Sequence, residues 1–182
     1  NSDDTNISAL TGMPINCPDT EEDGQSAMRG FKFHIGGAPG STTLTSNVYG
    51  YQCSTLENPG SLQFGKVGNY KSHRGDIGDL HGSQALCASN QALVGFVLDQ
   101  NKSGTKAGYR YDCIDMKGPV KVRTAITPYK PYDETDQLDT FNKIGDGVSC
   151  REGELLQGFA TEKSGNNMRY IYRCITPGYE AD

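Results

Sequence analysis

The sequence predicts an all-β, three-fold pseudosymmetric domain, β-prism-like, assembled from three disulfide-closed hairpins, with a β-trefoil as the competing architecture. Three observations predict it. One pattern occurs three times: Cys17 … Met28-Arg29-Gly30-Phe31 … Tyr49-Gly50-Tyr51-Gln52-Cys53, then Cys87 … Leu93-Val94-Gly95-Phe96 … Tyr109-Arg110-Tyr111-Asp112-Cys113, then Cys150 … Leu156-Gln157-Gly158-Phe159 … Tyr170-Ile171-Tyr172-Arg173-Cys174. All six cysteines of the chain open or close one of these units. The composition, with 23 glycines among 182 residues and no tryptophan, suits short strands joined by many turns rather than long helices. Residues 1–182 read as a single domain, with 1–16 as an N-terminal segment and 17–53, 87–113 and 150–174 as the repeated units.

In the N-terminal segment, Ile7 and Leu10 are spaced apolar-x-x-apolar. The same spacing returns before the second unit as Ile77 and Leu80, and before the third as Phe141 and Ile144. Within a unit the middle copy is the clearest. Ala92 to Asp99 is rich in β-branched and aromatic residues and reads as a strand. Gln100 to Lys106 is polar turn material. Tyr109 to Cys113 alternates, which puts both tyrosines and the cysteine on one face of a second strand. The open end of the resulting hairpin brings its two cysteines together. The pairs expected are therefore Cys17–Cys53, Cys87–Cys113 and Cys150–Cys174. Six cysteines allow many connectivities, and the repeat selects this one.

The glycine of each Gly-Phe pair sits inside a strand, where it marks a bulge or the close approach of another backbone. Three such glycines would let three sheets meet, with Phe31, Phe96 and Phe159 filling a shared core. Further strands are expected at 61–67 and 119–126, linking one unit to the next. The sequence as read runs from Asn1, with residues 175–182 after Cys174, and a third linking strand is therefore expected to be missing. One sheet is then expected to be a strand short, with an exposed edge. A neighbouring chain could fill that edge by strand addition and build a filament. The alternatives are that the terminal tails cover it within one chain, or that the strand is dispensable.

Chemical motifs are sparse. Six paired cysteines, no CxxC, and the sequons Asn6-Ile7-Ser8 and Asn101-Lys102-Ser103 point to an oxidising, secretory setting with candidate glycosylation at Asn6 and Asn101. A start at Asn1 without Met or a signal-type apolar run reads as a mature product or a fragment. No apolar run is long enough to cross a bilayer. A net charge of −5 argues against nucleic acid as a partner. His73, Asp76, Asp79 and His81 form a loose metal-like cluster that reads better as a polar loop. Acidic clusters at Asp19 to Asp23 and at Asp133 to Asp139 lack EF-hand spacing. No nucleophile, dinucleotide or phosphate-loop motif is present, no cofactor is expected, and no repeat carries a distinctive acidic residue. A non-enzymatic role is the expectation. The tyrosines Tyr49, Tyr51, Tyr109, Tyr111, Tyr170 and Tyr172 are candidate stacking platforms for glycans, with structural packing as the competing role.

The Cys … Gly-Phe … Tyr-x-Tyr-x-Cys unit, used three times over residues 17–174, resembles the three-fold β-sheet proteins of extracellular coats. The vitelline-membrane outer-layer proteins are one comparison, through Cys-bounded repeats with a Gly-Phe in the opening strand. Dermatopontin-type matrix proteins are another, through hairpins ending in aromatic-x-aromatic-x-Cys. The resemblance implies a secreted matrix or coat protein with affinity for carbohydrate. Two functional expectations result: a structural or adhesive subunit that associates with itself, and a lectin-like module.

Overall fold

The computed structural model describes residues 10–20, 24–34, 48–57, 59–74, 77–132 and 147–178. Two very short strands, β1 (Ile15–Asn16) and β2 (Asp19–Thr20), lead into the first hairpin, β3 (Gly24–His34) and β4 (Val48–Thr55). A linking strand β5 (Pro59–Val67), a short β6 (Lys71–Ser72), one 3-10 turn (Ile77–Leu80) and β7 (Gln84–Leu86) come next. The second hairpin is β8 (Gln91–Gln100) and β9 (Lys106–Met116), followed by the linking strand β10 (Val120–Ile126) and the short β11 (Lys130–Pro131). Then β12 (Val148–Ser149) leads into the third hairpin, β13 (Leu155–Ser164) and β14 (Asn167–Pro177). The chain is nearly all β, as the sequence predicts, and the linking strands fall where they are expected. Among the described residues, no helix is long and apolar enough to cross a membrane.

The strands form three sheets. Their central pairs run β1-β8-β9-β5, β7-β13-β14-β10 and β12-β3-β4, all antiparallel. The disulfides close each hairpin as expected: Cys17–Cys53, Cys87–Cys113 and Cys150–Cys174, with sequence separations of 36, 26 and 24. In the chain-entropy picture a loop of that size stabilises by about 3–4 kcal/mol per bond.

The hairpins are joined by strands too short for any periodicity to reveal. Each strand that leads into one hairpin pairs with a different hairpin. The first unit's β1 pairs with β8, setting Ile15 opposite Phe96 and Asn16 opposite Gly95. The second unit's β7 pairs with β13, setting Ala85 opposite Phe159 and Leu86 opposite Gly158. The third unit's β12 pairs with β3, setting Val148 opposite Phe31 and Ser149 opposite Gly30. The order of pairing is therefore a cycle. Each contact is made beside a register shift in the receiving strand, between Leu93 and Gly95, Leu156 and Gly158, and Met28 and Gly30. The residue just before each glycine turns its carbonyl to the arriving cysteine. Cys17 N–H donates to Val94 O at 2.9 Å, Cys87 N–H to Gln157 O at 3.1 Å, and Cys150 N–H to Arg29 O at 2.9 Å.

The glycines are required for this approach. A Cβ on Gly95 would collide with the Ile15 carbonyl oxygen, one on Gly158 with that of Ala85, and one on Gly30 with that of Val148. All three obstacles are backbone, which cannot rotate away as a side chain can.

The cycle of sheets encloses an aromatic core. The ring centroids of Phe31 and Phe96 lie 4.9 Å apart, and Phe159 lies 4.7 Å from each. Three tyrosines wedge around this triangle, each between two phenylalanines: Tyr49 at 6.0 and 5.7 Å from Phe31 and Phe96, Tyr109 at 5.8 and 5.1 Å from Phe96 and Phe159, Tyr170 at 5.9 and 5.5 Å from Phe159 and Phe31. Tilted and edge-on contacts of this kind add about 0.5–1.5 kcal/mol each beyond area burial. Leu10, Ile77 and Leu80 are also buried, so the second apolar-x-x-apolar lead-in packs on the core, as does the described end of the first. The equivalent Ile7, Phe141 and Ile144 lie outside the described residues.

Two measurements check this arrangement. Gly95→Ala is expected to lower stability by about 2–3 kcal/mol or more in chemical denaturation, because the new methyl must push β1 off β8. Burial holds the phenols of Tyr49 and Tyr170 well above the ordinary tyrosine range and raises that of Tyr109 to about 12; neighbouring phenols add to the shift at Tyr49 and Tyr170. The native pKa exceeds the unfolded one, so this part of the stability is whole below about pH 10 and is lost as pH rises through the native value. In a spectrophotometric titration at least three of the ten tyrosines should ionise only with alkaline unfolding. Titration of all ten in one reversible step near pH 10 contradicts the packing.

Candidate functional site

The six tyrosines singled out by the sequence do not share one environment. Tyr49, Tyr109 and Tyr170 are core residues, 9%, 2% and 3% exposed. They offer no ring face to a sugar, which corrects the expectation that they are stacking platforms. The reason is their place in the strand: each is turned inward, two residues before the outer tyrosine of its pair. The outer tyrosines differ among themselves. Tyr172 is buried, Tyr111 is half-buried, and Tyr51 is 45% exposed.

That gradient follows the linking strands. Tyr172 is flanked by β10, with Ala125 opposite, and Tyr111 by β5, with Lys66 opposite. Among the described residues only β3 pairs with β4, so Tyr51 has no strand beside it. Its hydroxyl lies 3.5 Å from the Asn16 carbonyl oxygen, while the hydroxyl of Tyr172 donates to Ser149 O at 3.1 Å.

A side-chain grip accompanies each linking strand. Gln91 Oε1 accepts from the Ala88 amide at 3.0 Å and from Lys66 Nζ of β5 at 3.2 Å. Glu154, four residues before its Gly-Phe glycine as Gln91 is, accepts from the Arg151 amide at 2.7 Å and takes both nitrogens of Arg123 of β10, at 2.7 and 3.0 Å. The first repeat has Ser26 at this position. Its hydroxyl donates to the Pro18 carbonyl oxygen at 2.7 Å and grips no linking strand.

Concave surfaces lie elsewhere. The face of the second hairpin's sheet that points away from the core carries a groove of about 360 Å³, walled by Asn16, Gly65, Arg110 and Asp112. The third hairpin's sheet carries one of about 220 Å³ at the corresponding positions, walled by Leu86, Thr124, Ile171 and Arg173. A cavity of about 380 Å³ opens where the hairpins end, among Leu56, Met116, Leu155 and Pro177, with Glu57 and Lys117 at its rim.

The remaining described candidates make local hydrogen bonds. Asn101 sits in the tip between β8 and β9, where its Oδ1 accepts from the Thr105 and Lys106 amides at 2.9 and 3.0 Å and its Nδ2 donates to Thr105 Oγ1 at 3.1 Å. His81 Nδ1 accepts from the Lys163 amide at 2.8 Å, and Asp79 Oδ2 from the Arg74 amide at 3.0 Å. Both loop residues are thus engaged with backbone. Asn6, Asp76, Glu21 to Asp23, and Asp133 to Asp139 lie outside the described residues. Among the described residues no group of His, Cys, Asp or Glu is placed to hold a metal ion. No family model, curated protein or solved structure matches the chain.

The Glu154 grip has a pH signature. Hydrogen bonding from Arg123, then from the Arg151 amide, holds its carboxyl below the usual glutamate range against the opposing effect of burial. The native pKa is the lower one, so its contribution is whole above the unfolded value and is lost as pH falls through the native value. Glu154→Gln should lower stability at neutral pH and flatten the acid limb of a denaturation-midpoint curve. An unchanged acid limb contradicts the grip.

Proposed function

We propose that this chain is a secreted, non-enzymatic structural or adhesive protein that associates with itself by strand addition at the β4 edge, into a filament or coat. The observation that carries the reading is that edge: a strand with no partner on its outer side among the described residues, bearing a 45%-exposed tyrosine whose counterparts are covered. Main-chain donors and acceptors on such an edge bind an extended chain wherever one is presented. The architecture is a three-fold pseudosymmetric β-prism. The cyclic pairing of β1, β7 and β12 supports it, as does the triangle of phenylalanines. Three separate sheets favour the prism over a β-trefoil. Secretion is supported by three disulfides and no free cysteine, with Asn101 as a glycan site in an exposed turn. The expected result is concentration-dependent assembly by light scattering after size exclusion, with ordered particles in negative stain. A strictly monomeric protein at every concentration overturns it.

A lectin-like module is the second reading. It is supported by the matching grooves on two sheets, with Asn16, Arg110 and Asp112 at the rim of the larger. A glycan array on the intact protein tests it, and uniformly blank spots remove it.

A further inference from the structure

Resting on the assembly role of the β4 edge, we infer that the strand received there is β4 of a second copy, paired antiparallel across a two-fold axis. The three outermost strands differ in how they are guarded. Natural sheets protect an exposed edge with charge, proline or a bulge. Strand β5 begins at Pro59, carries Lys66, and breaks register with β9 twice, between Pro59 and Leu62 and between Gln63 and Lys66. Its Gly65, at φ 67°, turns its amide to Asp112 Oδ1 at 2.8 Å. Strand β10 keeps register with β14 but carries Lys121 and Arg123. Strand β4 reads Val-Tyr-Gly-Tyr-Gln-Cys-Ser-Thr, with no charge and no proline. The one register shift in its pairing, between Met28 and Gly30, is the β3 bulge that receives β12.

The chemistry of the receiving sheet narrows the occupant. Where β5 and β10 are held, a basic residue reaches Gln91 or Glu154. Ser26 stands at that place beside β4, its short, neutral hydroxyl directed to the Pro18 carbonyl oxygen, where the other two units carry a longer amide or carboxylate. The outer side of β4, unpaired among the described residues, therefore suits a neutral strand rather than a second β5 or β10, and β4 is itself such a strand. Two-fold pairing sets a strand against its own sequence, so a charge at the axis faces its like and one beside it lies diagonal to its like, which is destabilising. The uncharged β4 meets that requirement; β5 and β10 do not. A two-fold normal to the sheet also keeps corresponding side chains on one face, with Tyr51 opposite or diagonal to its copy. Closed two-fold pairs are the commonest association of identical chains. The result is a continuous β12-β3-β4 sheet doubled to six central strands; this contact closes at two copies, so growth beyond the dimer into a filament or coat needs a different surface.

Charge reversal tests the symmetry. Tyr51→Lys and Tyr51→Glu should each be monomeric in light scattering, and an equal mixture of the two should recover the dimer. Only a contact that sets residue 51 near its own copy behaves this way, so a mixture that stays monomeric overturns the inference. Melting curves establish that each variant folds. The unmodified protein supplies an independent measurement should either not. An equal mixture of light and nitrogen-15-labelled chains, exposed to ruthenium photo-oxidation, should yield a dityrosine joining a light and a heavy β4 peptide. Linkage of Tyr51 to a peptide from any other strand of the second copy overturns the two-fold but leaves assembly at this edge standing. Absence of any association overturns both.

Discussion

Everything in this molecule depends on three backbone contacts that only glycine permits. At Gly30, Gly95 and Gly158 a carbonyl from another unit occupies the space of a side chain. The bulge at each site turns out the carbonyl that the arriving cysteine amide needs. These contacts convert three separate hairpins, each marginal alone, into a closed cycle. The phenylalanine that follows each glycine is then set on the inside, and the three rings meet. A methyl group at one such position would separate two sheets and loosen the aromatic cluster behind them.

The centre of the core is aromatic, inside a shell of buried aliphatic side chains such as Leu93, Ile114, Leu156 and Ile175. Six rings from three hairpins fill the centre, and half of them are phenols. Burial keeps those hydroxyls protonated. A tyrosine in this position contributes area on both sides of its ring, touching two phenylalanines from different hairpins. The second tyrosine of each pair has a different task. It lies at the border between its hairpin and the strand beyond, so its exposure reports whether that strand is there. Tyr51, Tyr111 and Tyr172 thereby record, among the described residues, an edge without a partner and two edges with one.

Much of this was legible in the sequence, for physical reasons. Cysteines that open and close each of three copies leave one economical connectivity, and glycine before phenylalanine within a strand announces a close approach. Strands β5 and β10 are long enough to show their β-branched and alternating residues. The lead-in strands were not legible. Ile15–Asn16 and Val148–Ser149 are two residues each, and no periodicity exists at that length. Their pairing is set by which hairpin each meets in space. The tyrosine roles were misread for a related reason. Alternation puts Tyr49 and Tyr51 on one face, but depth along the strand decides which of them reaches the core. The grip of Gln91 and Glu154, and its replacement by Ser26, could have been found by aligning the three units back from their Gly-Phe glycines.

The cyclic pairing also bears on the order of events during synthesis. Each disulfide lies within one hairpin, so a unit can be closed soon after its second cysteine emerges. The sheet of the first hairpin is different: it takes its edge from Val148 and Ser149, more than a hundred residues later in the chain. Until the third unit arrives, β3 presents an unfilled bulge and Phe31 lacks two of its aromatic neighbours, Phe159 and Tyr170. The oldest part of the protein is thus the last to be completed, and a chain interrupted before the third unit would hold two sealed hairpins joined through the pairing of β1 with β8, with the cycle left open.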